Sequence, residues 1–82
     1  IDVNENELTN IYPNPTNGLF TIKLNNYKNV SLTITDAIGK EIINKLITSN
    51  ITEVNLQGFK SGIYFVKLKG DNLNSTQKII LE

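Results

Sequence analysis

The sequence contains no cysteine and no histidine. Without thiols there is neither a disulfide framework nor a thiolate metal site, so any fold rests on its apolar core, and cysteine usage leaves the redox compartment open. Without imidazole, the usual general base near neutral pH and the commonest metal ligand are missing. Arginine is absent as well. All eight cations are lysines, matched by eight carboxylates to a formal net charge of +0. Lys23, Lys28, Lys40, Lys45, Lys60 and Lys78 are spread along the chain rather than clustered. Binding nucleic acid through a broad positive field is therefore disfavoured, because neutralising phosphates takes grouped cations. No apolar run approaches the roughly 18 residues of a membrane span. The opening residues carry no basic-then-apolar leader pattern, and a start at Ile1 rather than Met reads as a piece of something longer.

What is present fits one small domain. The 82 residues are 39% hydrophobic and 20% charged, a globular rather than a disordered composition. A chain of this size buries only about 60% of the surface that its unfolded form exposes, which leaves no room for a deep cleft. Residues 1–8 are acidic and Asn-rich and read as a linker tail; the domain is expected over 9–82. Pro13, Pro15 and Asn17-Gly18 then mark an extended or turning stretch, since proline fixes φ and removes a donor while Gly18 supplies a site for positive φ.

Beyond Gly18 the hydrophobic period is two. Phe20, Ile22 and Leu24 share a face, then Val30, Leu32 and Ile34, then Thr52, Val54 and Leu56, then Tyr64, Val66 and Leu68, and finally Ile79 and Leu81 in a strand from Ser75. Asn25 to Lys28 reads as a loop. Asp36 to Lys40 has the chemistry of a short hairpin turn with Gly39 in the left-handed position. The segment from Glu41 to Ile47 has no clear phase, which a bulge or burial on both sides would explain. With Thr9 to Tyr12 as the first, about seven short strands result, separated by turn signals about every 8–12 residues. The expected fold is all-β: an antiparallel β-sandwich, immunoglobulin-like in architecture.

Candidate chemistry is sparse. Asp36, Glu41, Glu53 and Asp71 are the carboxylates in the body of the domain. Paired-carboxylate catalysis would need two of them about 5–10 Å apart across a cleft, whereas Asp36 and Asp71 sit in predicted turns, where Asp commonly bonds its own backbone. No His-activated nucleophile and no G-x-S-x-G elbow occur, so no enzyme, cofactor or metal site is expected. Asp2 to Asn6 has the spacing that opens a calcium loop, but Glu7 stands where glycine is required and Pro13 where the bidentate glutamate belongs. Sequons at Asn29, Asn50 and Asn74 are what an Asn/Ser/Thr-rich chain yields by chance. A glycan-binding or adhesive module is the alternative function, resting on Tyr12, Tyr27, Phe59 and Phe65. Phe20 and Tyr64 fall on the core side by parity; Phe65 faces the other way, either beneath a covering segment or as part of a partner surface.

The ordered set of Tyr12-Pro13-Asn14-Pro15-Thr16-Asn17-Gly18, Asp36-Ala37-Ile38-Gly39-Lys40, Leu56, Ser61-Gly62-Ile63-Tyr64 and Gln77-Lys78-Ile79-Ile80-Leu81 resembles the C-terminal sorting domain (type A) of proteins exported by the bacterial type IX secretion system. The likeness runs from about Leu8 to Glu82. It implies a secretion signal rather than a catalyst: a domain at the C-terminus of a large exported cargo, folded in the periplasm and recognised by outer-membrane translocation components. A sortase-like component then releases the cargo or attaches it to the cell surface. Pro13, Asn14, Pro15, Gly18 and Lys78 are the expected recognition surface, because the turn and the lysine should be exposed and both match the family. Gly39, Gly62 and Tyr64 are expected to be structural: the glycines for their backbone angles, the tyrosine for core area with a hydroxyl that can bond a loop.

Overall fold

The computed structural model describes residues 9–24, 29–71 and 73–82. The acidic tail with its calcium-like spacing, the Asn25–Lys28 loop with Tyr27, and Asn72 lie outside the described residues. Seven strands are seen among the described residues: β1 (Thr9–Tyr12), β2 (Leu19–Leu24), β3 (Ser31–Asp36), β4 (Glu41–Leu46), β5 (Ile51–Asn55), β6 (Gly62–Gly70) and β7 (Leu73–Leu81). They form two antiparallel sheets, β1-β2-β5 and β4-β3-β6-β7. This is the expected sandwich. Relative to the constant-type immunoglobulin arrangement, the fourth strand has moved: β4 pairs with β3 instead of β5.

Strict alternation builds the core. Phe20, Ile22 and Leu24 from β2 and Val54 from β5 meet Leu32 and Ile34 from β3, Tyr64, Val66 and Leu68 from β6, and Leu73, Ile79 and Leu81 from β7. Each such side chain contributes about 1.5–3 kcal/mol on full burial. Val30 and Ile47 close one end of the β3–β4 pair just outside the strands, where the Ile47 N–H donates to the Val30 carbonyl at 2.9 Å.

The phase problem in β4 resolves as a bulge. Ile34 lies opposite Ile43 while Thr35 lies opposite Glu41, so Ile42 is the extra residue. Ile42 and Ile43 are consequently both half-buried against the core, Leu46 is exposed and Ile47 is buried. The last strand starts at Leu73, two residues earlier than the sequence pattern suggested. Pairing with β6 continues to Gly70 opposite Leu73, which buries Leu73 and Ser75.

Gly39, Gly62 and Tyr64 lie at the starts and turns of the four-stranded sheet. Gly39 takes φ +93° in the β3–β4 turn, and no neighbouring atom crowds the site, so its backbone angle alone favours glycine. Gly62 opens β6 with φ +147°. Tyr64 is buried near the start of β6, and its hydroxyl donates to the Lys60 carbonyl at 2.6 Å, the tyrosine corner of immunoglobulin-type sandwiches.

Tyr64→Phe should keep the fold and lower unfolding stability by about 1 kcal/mol, the worth of one hydrogen bond. Ile34→Ala, which leaves a void at the centre of β3, should cost about 2–5 kcal/mol. Urea denaturation checks both; an unchanged Tyr64→Phe protein would mean that the hydroxyl bond adds nothing to stability.

Candidate recognition surface

Between β1 and β2 the chain leaves the three-stranded sheet and runs along the outer edge of β7, in the other sheet. An edge strand presents unpaired carbonyls and N–H groups to any passing strand. Here the end of that edge is covered by residues 14–16. The Asn14 side chain acts as a surrogate strand residue: its Nδ2 donates to the Lys78 carbonyl at 3.0 Å, and its Oδ1 accepts from the Ile80 N–H at 3.1 Å. Thr16 continues the pairing with its backbone, donating to the Ile80 carbonyl and accepting from the Glu82 N–H, each at 2.8 Å, in a single parallel bridge opposite Leu81. Pro13 and Pro15 alternate with these residues and have no N–H to leave stranded.

Thr16 pins this strap from inside. Its side chain is 1% exposed; Oγ1 donates to the Leu19 carbonyl at 2.8 Å and accepts from the Gly18 N–H at 3.1 Å. Gly18 is buried, which corrects its place in the expected recognition surface. It takes φ +128°, and a Cβ there would fall 2.6 Å from Gln57 Cγ and 3.2 Å from the Gln57 backbone. Its carbonyl accepts from the Leu56 N–H at 2.6 Å. Gly18 is thus a close-approach residue that seats the strap on the β5 end, with nothing to present outward.

Pro13, Asn14 and Pro15 are exposed, as is Lys78. The fold brings the strap and Lys78 together although Asn14 and Lys78 are 64 positions apart. The pairing partner of Asn14 was not readable from sequence. The burial of Thr16 had one available signal, a hydroxyl two residues before a glycine, which suits a side-chain-closed turn.

Asp36 and Asp71 are engaged in hydrogen bonds to loop groups. Asp36 Oδ1 accepts from the N–H groups of Ile38 and Lys40 at 3.1 and 2.9 Å, closing the hairpin. Asp71 accepts from Asn29 Nδ2 at 3.0 Å, and Glu53 lies opposite Thr21 on the other sheet. An open groove of ≈ 270 Å³ runs between the Asp36–Ile38 turn and Lys60–Tyr64. Among the described residues Asp36 is the one carboxylate lining it, and no grouping of side chains suited to a metal ion occurs. The exposed aromatics are dispersed: Tyr12 is on β1, Phe59 is in the β5–β6 loop, and Phe65 is half-buried on the outer side of β6. They form no common stacking platform among the described residues.

Against known proteins, a family model described as "Secretion system C-terminal sorting domain" matches residues 10–82. The chain is also similar to an endo-acting ulvan lyase of Formosa agariphila, 28% identical over 86 residues. That alignment takes in 99% of this chain but only 17% of the length of the lyase.

Asn14→Ala should lower unfolding stability by about 1 kcal/mol, since the freed edge groups turn to water. Gly18→Ala should cost about 1–3 kcal/mol from its backbone angle alone, and more if Gln57 cannot move. Thermal and urea melts of both variants check this; an unchanged Asn14→Ala protein would show that the amide does not hold the edge.

Proposed function

The chain belongs to the family of secretion-system C-terminal sorting domains, the sorting signals of type IX export, and from that premise we propose that it is read as a folded surface by the outer-membrane translocation components. The surface proposed is the exposed part of the strap, Pro13, Asn14 and Pro15, together with Lys78 beside it. The cargo lies N-terminal to the domain. Its route passes through the periplasm and across the outer membrane, ending in release or in attachment at the cell surface by a sortase-like component.

The observation that carries this reading is the junction itself. Two of the segments that resemble the family, near the start of the domain and in its last strand, hydrogen-bond to each other through the Asn14 side chain and the Lys78 carbonyl. The domain is proposed to be non-catalytic, in keeping with carboxylates that close turns and bond neighbouring side chains. That a much longer lyase contains a similar segment supports reading this chain as an appendage to an otherwise unrelated cargo.

A passive reporter fused ahead of the chain should be exported by a host with the secretion system, and should be retained when β7 is deleted. Lys78→Ala in a folded fusion should lower export without lowering the melting temperature. Equal export with and without β7 would contradict the sorting role; unchanged export of Lys78→Ala would remove that residue from the recognised surface.

A further inference from the structure

The outer side of the β6–β7 pair is divided by chemistry. At one end Ile63 and Ile80 face each other across the two strands, 42% and 39% exposed, and Ile63 also lines the groove whose far wall carries Ile38, 90% exposed. Phe65 comes next along β6, half-buried beside Lys78. Beyond it the outward positions become Lys67 and Lys69 on β6, opposite Thr76 and Asn74 on β7. The next strand adds Ser31 opposite Lys69 and Thr33 opposite Lys67. No carboxylate stands at an outward position of β6 or β7. The nearby acids are Asp36, turned into its hairpin, Glu41 on β4 opposite Thr35, Glu82 after the strand, and Asp71, which follows Gly70 at the lysine end and accepts from Asn29 Nδ2.

In a chain of formal net charge +0, that segregation gives one sheet face an apolar end and a cationic end. At about 3.3 Å per strand residue, the two ends are roughly 13–20 Å apart. We infer that this face is a docking surface for a protein segment with apolar anchors at one end and carboxylates about 13–20 Å further along. The apolar residues would enter the space between Ile38, Ile63 and Ile80, and the carboxylates would meet Lys67 and Lys69. A purely anionic partner, such as a membrane surface, would use the lysines and leave the isoleucines idle. The proposal rests on the sorting reading and gives it the chemistry of the partner.

Two double variants of the reporter fusion test the two ends: Ile63→Thr/Ile80→Thr, which keeps β-branched residues in the strands, and Lys67→Glu/Lys69→Glu. The control is Lys23→Glu/Ile51→Thr, a cross-strand pair of the other sheet. Each site variant should lower export about tenfold or more, the loss of at least one well-placed contact, while the control is exported like the parent. Melting temperatures separate lost docking from lost folding, and if one site variant unfolds the other still decides. Normal export of the folded site variants, with the domain-deleted reporter retained, would overturn the docking surface and leave the sorting role intact; export of the domain-deleted reporter would overturn both. If the parent chain co-sediments with phosphatidylglycerol vesicles and only Lys67→Glu/Lys69→Glu abolishes that and export, the partner is an anionic membrane, and the proposal of a protein segment fails.

Discussion

The contact on which the rest of this small sandwich depends is the strap laid along the outer edge of β7. The strap is continuous with β1 and β2 of the three-stranded sheet, yet its hydrogen bonds go to the last strand of the four-stranded one. It therefore joins the two sheets along one side and covers an edge that would otherwise invite another strand. The proline-rich sequence suits the task. A normal strand in this position would turn donors toward both sides and offer a new edge outward. Pro13 and Pro15 cannot donate, and the side chain of Asn14 does the inward bonding that a backbone amide would do elsewhere.

That constraint also decides what the outside of the molecule presents. Because β7 is held to the end, its outward side chains keep a fixed spacing from those of β6, so Ile63 stays opposite Ile80 and Phe65 opposite Lys78. A domain this small has little interior to devote to a cleft. Its groove is open, and the carboxylate of Asp36, which lines it, is turned toward backbone N–H groups of its own hairpin. What such a molecule can offer is a chemically patterned exterior, which suits a sorting signal read while attached to a cargo.

Much of the architecture was legible in the sequence. The alternation of Phe20, Ile22 and Leu24, and of Tyr64, Val66 and Leu68, gave strands and their buried faces correctly, because period-two burial is a local property. The turn chemistry of Asp36 and Gly39 and the hydroxyl bond of Tyr64 were likewise local. What stayed hidden depended on partners far along the chain. The bulge at Ile42 shows only when β4 is set against β3, and Leu73 joins β7 because Gly70 is opposite it. Gly18 looked like an exposed turn residue until Gln57 was found against it. The strap was recognisable as a motif, and its proximity to Lys78 was not, since no periodicity links positions 14 and 78. The division of the β6–β7 face into an apolar and a cationic end follows from cross-strand register, which one strand's pattern does not contain.

The most direct measurement of this account is amide hydrogen exchange at Ile80 and Glu82. Their N–H groups point away from β6 and are bonded to Asn14 Oδ1 and the Thr16 carbonyl. If the strap holds the edge of β7, both amides are protected in the parent protein, and Asn14→Ala releases Ile80 selectively. Exchange of both at the rate of an unstructured peptide would mean that β7 has a bare edge and that the strap is not what holds the sandwich together.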